Sequence, residues 1–347
     1  MKEIKTICIC GGGGQCHAIA PWLASQGYTV NILTNNPDKW TRDFKYLLPD
    51  GDEMSATLGT ISSDPSYAVS PADVVIVTVP GFVNADEIQR IMPYLKPGTF
   101  VGGVFCSNGF FFEAFKILGD RYPLWGFQRV PFIGKVSEYG KVGAIKAYKT
   151  SCQIAVENAD EADKEAFRQW VETAFGLPAQ LMSSYLEVTL SNSNPLLHPA
   201  RISTWLKGWN GEVLAQNPLF YEEWPDAASE VYIALDADLH RIIEALPIDN
   251  ECLPYVLDYY EQTDAASLSR KLRSIDSFKG IRMPVKEVDG GWLPDFSSRY
   301  FIEDFNCGLK KYVELAATYG VSVPTMQRVL DWSNTVIALK DRPTIIS

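Results

Sequence analysis

In IKTICICGGGGQCHAIAPWLASQGYTVNILT (residues 4–34), two short apolar runs flank four glycines and a stretch with helical spacing. Residues 4–10 are rich in β-branched and small apolar side chains, the composition of a strand. Gly11 to Gly14 break it, and Ile19, Leu23 and Ala24 then recur at the spacing of a helix face. Pro21 falls inside that helix and predicts an irregular first turn. Gly27 ends the helix, and YTVNILT (28–34) returns as a second strand. Together these pieces form a βαβ opening.

The alternation continues downstream. DVVIVTVP (73–80) is a continuous apolar run, as expected for a strand buried on both faces of a parallel sheet. Ile88, Ile91, Met92 and Leu95 then mark a helix face, TFVGGVF (99–105) a strand, and residues 110–118 another helix. From about 122 to 157 strand-like segments such as GAIKAY and CQIAVE follow one another with little helix between them. Phe167, Trp170, Val171, Ala174 and Phe175 line a helix closed by Gly176 and Pro178. Beyond about 185, helix succeeds helix: 230–246, 308–320 and 325–339. The expected architecture is an α/β N-terminal domain with a mostly parallel, doubly wound sheet (residues 1–184), then an all-α domain (185–347). The boundary falls near Ser183–Leu186.

A chain of 347 residues is too long for one ordinary core, in keeping with two domains. Its net charge of −11 and pI of about 4.9 argue against nucleic acid as a partner. No apolar run approaches the roughly 20 residues needed to span a bilayer. MKEIKTICIC carries no basic leader, so a cytoplasmic protein is expected. Seven cysteines (Cys8, Cys10, Cys16, Cys106, Cys152, Cys252 and Cys307) are irregularly spaced. Cys8 and Cys10 face the same way on a strand but find no second ligand pair, so buried reduced thiols and no metal site are expected.

CGGGGQCHA (10–18) stands where a dinucleotide-binding (Rossmann) domain brings bare backbone against a pyrophosphate at a helix N-terminus. Gly11, Gly13 and Cys16 give the preferred register, with Gly14 beside them. The alternative of Gly12, Gly14 and His17 puts a bulky ring where helix and strand pack closely. At the end of the second strand, where NAD-preferring sites carry an acid, stand Thr34, Asn35 and Asn36. Without that acid a 2′-phosphate is not repelled, but the nearest cations in sequence, Lys39 and Arg42, lie further along. NAD and NADP both remain open as the cofactor. Val79 and Pro80 end the next buried strand, where backbone passes under the nicotinamide ribose; Pro80 reads equally well as a plain strand stop.

The chain holds three histidines: His17, His198 and His240. His198, in NPLLHPARI (194–202), has prolines at 195 and 199 that restrict the backbone on both sides. It lies just past the expected domain boundary, where a second domain would close over a nicotinamide, and imidazole is a natural proton source near neutral pH. His17 lies by the phosphate turn, and His240, in DADLHR, reads as solvated surface.

The CGGGG turn, the NPLLHP segment and SRYFIEDFNCGL (298–309), together with KVSEYGKVGAIKAYKT (135–150) and GVSVP (320–324), resemble the opine dehydrogenase family of the octopine and nopaline type. The resemblance covers nearly the whole chain. It implies NAD(P)H-dependent reduction of the imine formed between an amino acid and an α-keto acid. Its architecture is similar to that of the ketopantoate and glycerol-3-phosphate reductases. By position it implies that His198 is the catalytic histidine, Asp304 the carboxylate paired with it, and Arg299 the group that grips a substrate carboxylate. Read locally, Glu303 and Asp304 would simply favour a helix start, and Arg299 would be surface. The family's Pro-Gly-Gln before a Gly-Phe pair is replaced here by Phe105-Cys106-Ser107-Asn108-Gly109-Phe110, so Ser107 takes the place of a substrate-binding glutamine. Asn194 reads either as an amide near the nicotinamide or as a cap before Pro195. Simple keto-acid reduction and non-catalytic NAD(P) sensing are the rival expectations.

Overall fold

The computed structural model describes residues 1–248 and 253–341, so Cys252 lies outside the described residues. The chain divides into two compact units, the first Met1–Asn192 and the second beginning at Ser193.

In the first unit the strands are β1 (Thr6–Cys10), β2 (Thr29–Leu33), β3 (Asp43–Leu47), β4 (Glu53–Thr57), β5 (Ile61–Ser62) and β6 (Val74–Val77). They continue as β7 (Phe100–Gly103), β8 (Leu124–Phe127), β9 (Phe132–Glu138), β10 (Val142–Tyr148), β11 (Cys152–Glu157) and β12 (Ala179–Leu181). Eight of them form one sheet in the order β12-β11-β8-β7-β6-β1-β2-β5. The run from β5 to β8 is parallel throughout, and β11 pairs antiparallel with β8. The VVIV of β6 is fully buried, as a central strand covered on both faces must be.

Helices α1 (Gly14–Ser25), α2 (Asn84–Ile91), α3 (Phe110–Leu118), α4 (Glu161–Phe175) and α5 (Tyr185–Leu190) accompany this sheet. Asp160 caps α4 by accepting from the Asp163 amide. α1 runs without a break through Pro21, against the expected irregularity.

A second sheet, β4-β3-β10-β9, was not anticipated. It packs against α1, whose residues Cys16 to Pro21 are consecutively buried. The approach is close: a Cβ on Gly14 would come 2.6 Å from the Gly134 carbonyl, and one on Gly143 would come 2.0 Å from the His17 carbonyl. The strand-like run near 122–157 thus serves two sheets rather than one. α5 belongs to the first unit, later than the expected boundary. The Tyr185 amide donates to Glu157 at the end of β11, and its ring packs on Phe111 and Phe115.

The second unit holds α6 (Asn194–Trp205), α7 (Asp226–Ala245), α8 (Ala265–Ser274), α9 (Lys310–Thr318) and α10 (Pro324–Ile337). Arg299–Phe301 form one helical turn, and a π-helical segment, Ile302–Leu309, leads from it into α9. The unit is not all-α. β13 (Val285–Val288) and β14 (Gly291–Pro294) form a hairpin across Asp289-Gly290, where Gly290 has φ +85°. Asp-Gly between short alternating strands is a hairpin signature that the helical context obscured.

DADLHR in α7 is also not the solvated surface expected. His240 is 6% exposed and stacks on Tyr255 with ring centroids 3.5 Å apart. Asp238 is buried because it accepts from the Thr325 and Met326 amides at the start of α10, and Asp236 accepts from the Val256 amide. Burial raises the Asp236 carboxyl to about 6. These charges satisfy backbone donors in the interior, a role that sequence periodicity cannot distinguish from exposure.

Candidate active site

In the first unit, β1, β2, β6 and β7 run parallel, so their carboxyl ends share one edge of the sheet. Gly11 comes directly after β1, Thr34 and Asn35 after β2, Val79 and Pro80 just beyond β6, and Ser107 four residues beyond β7. The segments expected to meet a nucleotide or substrate in this unit are thereby gathered by topology alone, as at the ligand edge of open α/β sheets.

Gly11 has φ +127°, and a Cβ there would meet Thr78 Oγ1 at 2.6 Å, so the tight turn requires glycine. Gly13 is different: its backbone is extended (φ −87°, ψ −171°) and a Cβ would meet nothing within 4 Å. α1 has no side-chain cap and no acid in its first turn, so its first amides are left for a ligand. That open space before uncapped amides fits a pyrophosphate, which Gly13, Gly14 and the start of α1 would hold.

Cys16 is fully buried beside Cys8 of β1, on the side where helix and strand must approach. His17 instead turns toward the second sheet. Its Nδ1 pairs with the Gly13 carbonyl at 3.0 Å, and its Nε2 accepts from the Gly140 amide at 2.8 Å. The ring therefore ties the glycine turn to the β9–β10 turn, and burial lowers its pKa.

At the tip of β2, Thr34 is buried and Asn35 exposed. The cation that reaches Asn35 is neither Lys39 nor Arg42. Arg42 donates to the Leu58 carbonyl, whereas Arg90 of α2 donates to the Asn35 side-chain oxygen at 3.1 Å and pairs with Glu87. Nothing in local spacing announces a partner 55 positions away. Ser107 is 3% exposed in a short turn.

In the second unit, α6 carries His198, 8% exposed, and Asn194 one turn before it. His198 Nδ1 and Asp304 Oδ2 are 2.7 Å apart, joining positions separated by 106 residues. The acid lies in the π-helical segment, a widened backbone often found at functional sites. α6 can approach that segment because Gly308 lacks a side chain: a Cβ there would stand 2.6 Å from both Cβ and Cγ of Pro195. Gly308→Ala is therefore expected to lower stability by about 1–3 kcal/mol through overpacking. An unchanged thermal midpoint would show that the contact can relax.

His198 Nε2 lies 3.0 Å from the Tyr221 hydroxyl, and the rings of Tyr300 (4.5 Å) and Phe220 (5.3 Å) pack against the imidazole. Burial, reinforced by the Asp304 charge, pushes the Tyr221, Tyr300 and Tyr312 phenols above their usual range. The Arg299 side chain is 66% exposed, and its guanidinium pairs with Glu303 one turn on. Of the residues singled out in this unit, His198 and Asp304 are brought together, Asn194 stands a turn away, and Arg299 is engaged by a neighbouring acid. Tyr221, Tyr300 and Arg201 were missed, although Tyr300 and Arg201 lie within or beside the two stretches that carried the resemblance.

Residues 181–337 match the family described as NAD/NADP octopine/nopaline dehydrogenase, alpha-helical domain. The chain is 27% identical to octopine dehydrogenase of Pecten maximus, covering 95% of this chain and 90% of that protein. It is 28% identical to opine dehydrogenase of Haliotis discus hannai, covering 96% and 90%. A solved structure of octopine dehydrogenase with NADH and L-arginine superposes with a TM-score of 0.84 at 26% identity, over 96% of this chain and 90% of that one. Over nearly its whole length the chain is thus similar to octopine and opine dehydrogenases, and residues 181–337 match the alpha-helical domain of the octopine/nopaline dehydrogenase family.

Proposed function

We propose that the protein is an NAD(P)H-dependent opine dehydrogenase: the amine of an amino acid condenses with an α-keto acid, and the resulting imine is reduced. The observation that carries this is the His198–Asp304 pair. A carboxylate on Nδ1 fixes the tautomer and favours the protonated ring, so that Nε2 is the nitrogen that works as an acid. When bound, the nicotinamide supplies the hydride. His198 holds the proton, Asp304 orients and charges it, and Arg299 anchors a substrate carboxylate by paired hydrogen bonds, in place of its contact with Glu303 or beside it. Asn194 and Ser107 are assigned to substrate positioning. Gly11, Gly13, Gly14, Cys16, Thr34, Asn35, Val79 and Pro80 are assigned to the cofactor.

The direct test is a screen of amino acids against pyruvate and related keto acids with each reduced cofactor. Oxidation of the cofactor that needs both substrates supports the proposal. Equal oxidation with the keto acid alone would replace it with simple keto-acid reduction.

The tip of β2 suits NADPH as well as NADH, because Asn35 stands where an acid would repel a 2′-phosphate and Arg90 reaches its side chain. Arg90→Ala should weaken NADPH about tenfold, the size of one modest charge contact, and leave NADH nearly unchanged. Equal losses for both cofactors would remove Arg90 from the phosphate's neighbourhood. Cys8, Cys10, Cys16 and Cys106 are fully buried free thiols, which suits the reducing cytoplasm proposed for the protein. Among the described residues no helix is long and apolar enough to cross a membrane.

A further inference from the structure

Both nitrogens of the His198 ring are taken: Nδ1 by Asp304 at 2.7 Å and Nε2 by the Tyr221 hydroxyl at 3.0 Å. Tyr300 and Phe220 pack around the rest of the ring. A proton leaving Nε2 therefore meets the Tyr221 oxygen first.

That oxygen is firmly held in position. The Tyr221 ring stacks on Phe278 with centroids 4.0 Å apart and lies parallel to Trp224. The backbone just before it is clamped by Arg201, whose Nε donates to the Phe220 carbonyl at 2.9 Å. Arg201 is 4% exposed, and burial pulls its guanidinium down to about 10, so it is held in the interior chiefly by carbonyls. One helix, α6, thus carries both the imidazole and, three residues on, the cation that sets the tyrosine upon it.

We propose that Tyr221 is the proton conduit of the site, standing between His198 and the substrate. The proposal rests on the opine reaction proposed for this site. The Nε2–H bond of the imidazolium breaks and its electron pair stays on the ring. A new O–H bond forms at Tyr221 as the tyrosine's own O–H breaks, and that proton joins the imine nitrogen. The tyrosine ends as it began, the imidazolium has become neutral, and the substrate has gained one proton. A phenol kept protonated by burial suits this role, because it can accept and donate at once without resting as a phenolate.

Tyr221→Phe keeps the ring stacking and removes only the hydroxyl. Turnover should fall about 10²-fold, with both substrate KM values and the thermal midpoint little changed. A second readout does not depend on turnover. The carbon-bound imidazole proton signals of His198, identified among three histidines by a His198→Ala spectrum, should move at fixed pH in Tyr221→Phe, because the hydroxyl 3.0 Å from Nε2 is gone. Among the described residues, the titratable groups facing the ring are Asp304, Tyr221 and Tyr300. The two phenols are held above their usual range by burial.

Unmoved His198 signals overturn the contact and the proposal with it. Signals that move while turnover stays near that of the parent reduce Tyr221 to a packing residue and also overturn the conduit. If the signals move but no pair of amino acid and keto acid is turned over by the parent protein, the opine reaction fails, and the Tyr221–His198 conduit stands for another carbonyl or imine.

Discussion

His198→Ala should lower turnover by about 10²–10⁴-fold, the usual share of a positioned acid–base group, while leaving cofactor affinity nearly intact. Asp304→Asn should cost turnover a comparable amount. The amide can still meet Nδ1, but it no longer stabilises the imidazolium across the 2.7 Å contact. Because the two side chains act as a unit, the double variant should be little worse than either single one. Steady-state turnover beside a fluorescence titration of NADH and NADPH separates chemistry from binding. Near-normal turnover in His198→Ala would reject the assignment. A collapse of cofactor affinity would show that the histidine acts through the nucleotide site instead.

Gly13→Val should abolish most cofactor binding without harming the fold. The Gly13 backbone is extended, a conformation any residue adopts, and a Cβ there meets nothing within 4 Å. Removing a glycine also restricts the unfolded chain, which stabilises compatible sites by about 0.4–1 kcal/mol. The thermal midpoint should therefore hold or rise slightly. The isopropyl group would occupy the space before the uncapped amides of α1, and affinity should fall about tenfold or more, at least about 1.4 kcal/mol of binding. Unchanged affinity would move the pyrophosphate away from that helix. Gly11 could not serve for this experiment: φ +127° and Thr78 Oγ1 at 2.6 Å would strain the turn itself and confuse folding with binding.

Much of the first unit was legible locally. Residues 6–10, 14–25 and 29–33 form the strand, helix and strand that periodicity and the four glycines predicted. The second sheet was not. β4 is largely exposed and β3 alternates over only five residues, so neither has a strong signal. The trace left in the sequence was in α1: Cys16 to Pro21 hold only one polar side chain, His17, and a helix apolar around most of its circumference must be covered on more than one side. DADLHR failed for the opposite reason. Its carboxylates are polar in sequence yet buried, because helix ends elsewhere need acceptors.

Strands, helices, turns and the glycine-rich approach to a phosphate arise from side chains a few positions apart, because dihedral preference and amphipathic spacing act within a few residues. The sequence by itself therefore determined the βαβ opening, the parallel α/β unit and the largely helical character of the second unit, and its shared motifs singled out His198, Asp304 and Arg299. Only the tertiary structure decided that His198 touches Asp304 through the approach of α6 to a π-helical segment at Gly308, that Arg90 answers Asn35, and that Tyr221 sits on Nε2. Each of those contacts joins distant positions, and the free energy that makes them comes from packing whole elements together, which no local pattern encodes.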